Sequence, residues 1–254
     1  MDIEYAAQSL WEGIQRKQHM PEQWRGKFSP AQGYAVQLAV MRRMLAAGEV
    51  QAGWKVGLTS AAMRAQQKVS EPCFGYLLRS GHLRSGVRLA MDELIAPGIE
   101  NELCLTIGER LQGPHVTFDQ ARRSIAFVEP ALEVAEVRGD FAADLNLSMA
   151  DNAQQRAFIT AEPQPYDSRI PLSQTALDLC FNGTHAASAT GVEVMDDPLN
   201  SVVWLANKLS EFGFALEPGM RVMSGSFTRQ YAVSRGDLVH ASFQPYGDVT
   251  ASFF

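Results

Sequence analysis

Long apolar runs are missing from this sequence, and so are the spacings that mark metal clusters and dinucleotide folds. No hydrophobic stretch approaches the ~18 residues a membrane-spanning helix needs, so no spanning helix is expected. Cysteine is scarce: Cys73, Cys104 and Cys180 are odd in number, far apart and form no CxxC. That argues against a thiolate zinc cluster or a disulfide framework and fits reduced thiols in a cytoplasmic protein. Basic residues are also few, 22 Lys and Arg against 28 Asp and Glu for a formal net charge of -6. They are scattered, so a nucleic-acid partner is not expected. GxGxxG is absent, and so is a regular alternation of strand and helix; both absences exclude a Rossmann fold. The N-terminal "MDIEYAAQSLWEGIQRKQ" has an amphipathic helical pattern with acids in its first turns, unlike a signal peptide. No internal repeat or low-complexity tract stands out.

What is present is ordinary in bulk. The 254 residues are 46% apolar and 20% charged, enough for one large domain or two small ones with a real core. The first 50 residues read as helical. One helix runs to about residue 18, "HMPEQWRGKF" interrupts it, and Ser29-Pro30-Ala31-Gln32 opens a second with a capping box. Short extended runs follow: "AGWKVGLTS" as a strand entering a short helix, then "IENELCLTIG", "IAFVEPALEVAEV" and "LDLCFNG" as strands. A late helix, "DPLNSVVWLANKLSEFG", has Asp197 as N-cap and Gly213 as its stop. "VMSGSFTRQYAVSRGDLVHASF" and "DVTASFF" close the chain as strands. Helices first, then many strands with one late helix, indicate an α+β fold with a mixed or antiparallel sheet. The boundary is expected near residue 50, between an N-terminal helical segment (1–50) and the remainder (51–254).

Chemistry concentrates in "IENELCLTIG", residues 99 to 108. On a strand, Glu100 and Glu102 share a face with Cys104 and Thr106, while Ile99, Asn101, Leu103 and Leu105 occupy the other. Two carboxylates at that spacing stand roughly 7 Å apart and raise each other's pKa unless a cation sits between them. A hard divalent ion wants such oxygen ligands. Glu129, Glu133 and Glu136 in "VEPALEVAEV" are candidates for a third. A solvated edge strand with Lys or Arg partners would show the same two acids, and spacing alone favours that plainer reading. Lys55, inside the apolar run "GWKVGLTS", is a candidate acid or base, or a side chain that snorkels outward or pairs with an acid.

The pieces "KVGLTS" (55–60), "SEPCFGYLL" (70–78), "IENELCLTIG", "PALEVAEVR" (130–138), "DNA" (151–153), "VVWLANKLSEFG" (202–213) and "SGSFTR" followed by "RGD" (224–237) occur together in one order. In that order they resemble the 2-keto-4-pentenoate hydratases, with the 2-oxo-hept-3-ene-1,7-dioate hydratases and the 4-oxalocrotonate decarboxylases, within the fumarylacetoacetate hydrolase superfamily. The resemblance spans roughly residues 30 to 254. It implies a fumarylacetoacetate-hydrolase-like mixed β-sandwich roll with peripheral helices for residues 51–254. It also implies a Mg²⁺ or Mn²⁺ site on Glu100, Glu102 and Glu133. Lys55 falls on the family's active-site lysine, and Glu136 falls where relatives carry an aspartate and reads as a supporting residue. The implied reaction is metal-dependent addition of water to a 2-hydroxy-2,4-dienoate, giving a 4-hydroxy-2-oxo acid in aromatic-compound catabolism. The implied partners are the small 2-oxo or 2-hydroxy dienoic acid and further copies of the chain, or a hydratase–decarboxylase hetero-complex.

The same electron sink serves decarboxylation, so the ligand set does not separate the two reactions. Cys73 stands where hydratases usually carry an aspartate and decarboxylases an aliphatic residue; a buried cysteine acts as a small hydrophobe, which leans toward the decarboxylase. "DNAQQRAFIT" leans the same way, while "SGSFTR" and "RQYAVSRGD" look hydratase-like. Ser226 and Thr228 are candidates to donate to a substrate carboxylate or to cap a turn, and Cys73 is a further candidate contact. An acylpyruvate hydrolase would need a His–Glu pair; His19 and Glu22 sit in a helix-breaking loop instead. His82, His115, His185 and His240 have no motif around them. A non-catalytic partner subunit is the remaining alternative, and retention of all three acids with Lys55 argues against it.

Overall fold

The computed structural model describes all residues from Met1 to Phe254. Six helices are present: α1 (Ile3–Gln15), α2 (Pro30–Ala46), α3 (Ala61–Gln67), α4 (Phe118–Ser124), α5 (Leu145–Ala150) and α6 (Pro198–Ser210). The Ser29–Gln32 capping box forms as its sequence predicts, with Pro30 at the first helical position. Helix α1 ends earlier than expected, and Lys17 just beyond it adopts φ +50°. Asp197 caps α6 by accepting from Leu199 N. No helix is long and apolar enough to cross a membrane.

Strands β1 (Gln51–Gly57), β2 (Cys73–Leu78), β3 (His82–Arg84), β4 (Val87–Leu89), β5 (Pro97–Ile107), β6 (Ile125–Glu136) and β7 (Gln155–Thr160) fill the first two thirds of the chain. Then come β8 (Gln164–Pro165), β9 (Ala176–Phe181), β10 (Thr184–Thr190), β11 (Arg221–Met223), β12 (Tyr231–Ala232), β13 (Leu238–Gln244) and β14 (Gly247–Phe253). Nine of them build a mixed, curled sheet in the order β2-β1-β11-β5-β6-β7-β3, with β12 on β5 and β8 on β6. The other five form a second sheet, β10-β9-β13-β14-β4. Helices together with a mixed, curled sheet and a second sheet are the α+β arrangement expected.

Strand alternation explains how one sheet serves two purposes. Ile99, Leu103, Leu105, Trp54, Phe74, Val128, Leu132 and Val222 join the main core. On the opposite face Leu77, Cys104, Ala131, Phe158 and Met223 form a small separate apolar cluster. Glu100, Glu102, Glu129 and Glu133 share that second face by register: Glu100 pairs with Glu133, Glu102 with Ala131 and Cys104 with Glu129. β5 lies inside the sheet between β11 and β6, which removes the edge-strand explanation of its two acids.

Helix α2 is buried on two sides. Tyr34, Leu38 and Met41 enter the main core, while Val36, Ala39, Val40 and Met44 pack with α1 and α5 residues in a smaller one. One expectation changes. The run from Ser224 to Gln230 is a loop, not a strand, because Gly225 takes φ +110° and breaks the extended path. In the terminal "ASFF", Phe253 is buried in β14 and Phe254 is exposed beneath the Arg88 guanidinium.

Candidate active site

Antiparallel pairing sets Glu133 directly opposite Glu100, one strand spacing away, and Glu102 lies two residues along the same face. The carboxylates of Glu100, Glu102 and Glu133 converge, each offering an oxygen within 4.8 Å of the others. Glu102 and Glu133 are fully buried, and Glu100 is half-buried. The other two candidates for a third acid lie elsewhere. Glu129 receives Arg221 Nε and Thr106 Oγ1, both at 3.3 Å. Glu136 is held by Arg138 Nη1 at 3.0 Å and Ile95 N at 3.2 Å.

Lys55 arrives from β1, where its face is set by pairing with Gly75 and Met223. Its Nζ stands 3.3 Å from Glu133 Oε1, an ion-pair distance outside good hydrogen-bond geometry, and 3.5 Å from Ala153 O. Burial pushes the ammonium toward losing its proton, but the carboxylates, Glu133 above all, then Glu100 and Glu102, hold it charged. Burial raises all three carboxylates. For Glu102 the neighbouring Glu133 and Glu100 add to the rise; for Glu100 and Glu133 the Lys55 charge works against it.

The loop Ser224–Gln230 is laid along β5. Ser224 N donates to Leu103 O at 3.1 Å, Phe227 N to Asn101 O at 2.9 Å, and Asn101 Nδ2 to Thr228 Oγ1 at 2.8 Å. Gly225 N donates to Glu102 Oε2 at 2.8 Å. Only glycine serves there, since an added Cβ at φ +110° would fall 2.3 Å from Thr59 Cγ2. The Ser226 hydroxyl bonds the Asn101 backbone, and Thr228 Oγ1 donates to Arg229 O at 3.1 Å. In this structure both side chains pin the loop.

A cavity of about 300 Å³ opens over these groups. Lys55, Cys73, Glu100, Glu133, Ser226 and Thr228 all line it, so the sequence-derived residues are brought together, with Glu102 behind them. Cys73 is buried, and burial pushes its thiol up to about 11, with Lys55 opposing. His19 and Glu22 do not line the cavity; His19 Nδ1 contacts Arg138 O at 3.1 Å. Sequence reasoning missed Ala153, Gln154 and Arg229, which also line it. Arg229 packs its guanidinium over the Tyr231 ring at 4.2 Å and has no carboxylate partner.

The donor set fits a divalent cation. Three carboxylates face one ammonium, and Glu102 Oε1 and both Glu133 oxygens are buried with no hydrogen-bond donor. Leaving buried charged acceptors unpaired costs more than about 1–3 kcal/mol each, and a hard cation with oxygen ligands removes that cost.

No protein-family model matches the chain. Among curated proteins it is 31% identical over 232 residues to a 2-oxo-hept-4-ene-1,7-dioate hydratase of Escherichia coli, covering 87% of this chain and 85% of that one. It is 32% identical over 224 residues to a 4-oxalocrotonate decarboxylase of Pseudomonas putida, covering 88% and 85%. Among solved structures it superposes with a TM-score of 0.94 and 29% identity on 4-oxalocrotonate decarboxylase from Pseudomonas putida G7 complexed with magnesium and adipate, covering 99% and 97%. A fumarylpyruvate hydrolase from Pseudomonas aeruginosa in complex with Mn²⁺ and pyruvate shares the fold at TM-score 0.62 and 18% identity, covering 80% and 89%.

Proposed function

Since the chain belongs to the family of 2-keto-4-pentenoate hydratases, 2-oxo-heptene-1,7-dioate hydratases and 4-oxalocrotonate decarboxylases, and shares its fold with a protein ascribed to the fumarylacetoacetate hydrolase family, we propose that it hydrates a 2-hydroxy-2,4-dienoate to a 4-hydroxy-2-oxo acid. The observation that carries this reading is the convergence of Glu100, Glu102 and Glu133 beside Lys55 at one cavity. The three carboxylates would hold Mg²⁺ or Mn²⁺. Such an ion supplies a Lewis acid for the carboxylate and C2 oxygen of a 2-oxo acid.

The chain's own groups account for the rest. Lys55 is the proton carrier: of the cations lining the cavity, it is the one that stands beside the three carboxylates. Held charged, Lys55 gives its proton to C5 and regains one as the C2 hydroxyl releases its own, converting the dienol into a conjugated 2-oxo-enoate. Water then adds at C4, and a proton reaches C3. Apolar side chains on the wall, Leu58, Met63 and Phe141, limit bulk water around the diene.

Arg229 bears on the substrate's tail. It is the cation at the cavity without a carboxylate partner, and a second carboxylate on the substrate would supply one. One relative is named for a 1,7-dioate, and a solved relative holds adipate. The reading therefore favours a dicarboxylic dienoate.

A specific observation favours decarboxylation as the second reading. The position where hydratases usually carry an aspartate presents a neutral, buried Cys73 thiol to the cavity. It offers no charge to direct an incoming water. The reading includes assembly with further copies of the chain, which native mass measurement with and without a co-expressed partner tests.

The test of function is product analysis by mass spectrometry with 2-hydroxypenta-2,4-dienoate and its dicarboxylic analogue, with and without a chelator. Gain of water, abolished by chelation, is the expected result. Loss of CO₂ without hydration assigns the decarboxylase, and inertness toward both overturns the reading.

A further inference from the structure

The motif "DNA", Asp151 to Ala153, lies between α5 and β7, and the proposed chemistry does not use it. Its backbone is unusual. Asn152, Ala153 and Gln154 have φ of 58°, 49° and 62°. Three consecutive left-handed residues, none of them glycine, are unfavourable for side chains with a Cβ, and such conformations persist only where the surroundings over-determine them.

Here the surroundings do so from three sides. On one, Arg138 Nε donates to Asp151 Oδ2 at 2.8 Å and Nη2 to Asp151 O at 3.4 Å, while Nη1 reaches Glu136. All three of these side chains are at least nine-tenths buried. On the second, the Asn152 amide acts as a missing strand for the free edge of β2. Its Oδ1 accepts from Tyr76 N at 2.8 Å and its Nδ2 donates to Tyr76 O at 2.9 Å. The close approach requires Gly75, where an added Cβ would lie 2.8 Å from Asn152 Oδ1 and 3.3 Å from Lys55 Cε. On the third, Gln154 Nε2 donates to Gly139 O at 2.7 Å.

The consequence appears at Lys55. The fixed turn presents Ala153 O to Nζ at 3.5 Å, and Glu133 Oε1 lies 3.3 Å from the same nitrogen. An ammonium has three N–H bonds. One is given to the fixed Ala153 oxygen, which sets the directions of the other two. We propose that Asn152, backed by the buried Arg138–Asp151 pair, is a positioning residue that holds the Ala153 carbonyl in place and so sets the aim of the Lys55 ammonium toward the substrate. Neither Asn152 nor Arg138 nor Asp151 lines the cavity; they act through Ala153. The inference rests on Lys55 as the proton carrier.

Asn152→Gly tests it, because glycine tolerates the left-handed backbone while losing both bonds to Tyr76. Misplacing a reacting group by about 1 Å costs on the order of 100-fold in rate. The expected result is kcat reduced about 10- to 100-fold, KM and Mn²⁺ affinity within about threefold of wild type, and a crystal structure in which Ala153 O has moved away from Lys55 Nζ. Asn152→Asp, which keeps the bond from Tyr76 N but faces Tyr76 O without a donor, should show a smaller loss of the same kind and covers the case in which the glycine variant does not fold. A lowered melting temperature with unchanged kcat would mean a structural role only and would overturn the proposal. So would an unmoved Ala153 carbonyl. Should Lys55→Ala keep full turnover, or wild type turn over nothing, the functional reading fails first; the crystal structure of the Asn152 variant still decides whether Asn152 fixes the carbonyl.

Discussion

Glu100 and Glu133 face each other directly across the β5–β6 ladder, two like charges in register with a third, Glu102, beside them. Opposed like charges on neighbouring strands are destabilising, and here Lys55 is the single cation among them. A sheet keeps such an arrangement when something else supplies positive charge.

Glu102→Gln removes one charged ligand and leaves its shape. Mn²⁺ affinity measured by calorimetry should fall by more than the 10- to 100-fold typical of disturbing a residue behind the ligands, and turnover should vanish with it. Unchanged affinity together with normal turnover would remove Glu102 from the site.

Lys55→Ala should separate binding from chemistry. The carboxylates remain, so the cation still binds. The rate should drop by about 10²–10⁴, the usual contribution of a positioned acid or base. An unaffected rate would exclude Lys55 from proton transfer.

Protonation gives a third expectation. Burial raises the three carboxylates above their unfolded values. Without a cation, the folded protein therefore binds more protons at this site than the unfolded chain. Its contribution to stability is present at low pH and is lost as pH rises from about 4.5 through the raised folded values. A bound cation requires the ionised carboxylates and reverses the sign. The gain in melting temperature on adding Mg²⁺ should be small at pH 5 and grow toward pH 7.5. In Glu102→Gln it should be small throughout. A gain independent of pH would contradict the raised values.

Cys73→Asp probes the choice of reaction. The cavity wall would gain a carboxylate where the thiol is neutral, close to Lys55 and Glu133. If the missing charge is what limits water addition, the ratio of hydrated to decarboxylated product should rise. An unchanged ratio would make this position irrelevant to the outcome.

Much of this arrangement was legible in the chain, and the gaps have physical causes. Capping chemistry is local, so the Ser29–Gln32 box and the Asp197 cap could be read directly. Alternation likewise put Glu100 and Glu102 on one face. The residues alone could not choose among Glu129, Glu133 and Glu136, because β6 presents Glu129 and Glu133 on the same face and only its register against β5 decides which meets Glu100. The resemblance, not the spacing, singled out Glu133. The loop Ser224–Gln230 resembled a strand because its apolar and hydroxyl residues suit one; Gly225 and the bonds to Asn101 hold it otherwise. The left-handed turn at Asn152 gave no signal, since its support comes from Arg138 and Tyr76, far away in sequence.

The central claim is that Glu100, Glu102 and Glu133 together hold a divalent cation. Anomalous diffraction from crystals soaked in Mn²⁺ tests it most directly. The account expects one strong peak bounded by oxygens of all three carboxylates, absent from crystals of Glu102→Gln. A peak elsewhere, or none with all three side chains in the positions described, would contradict it.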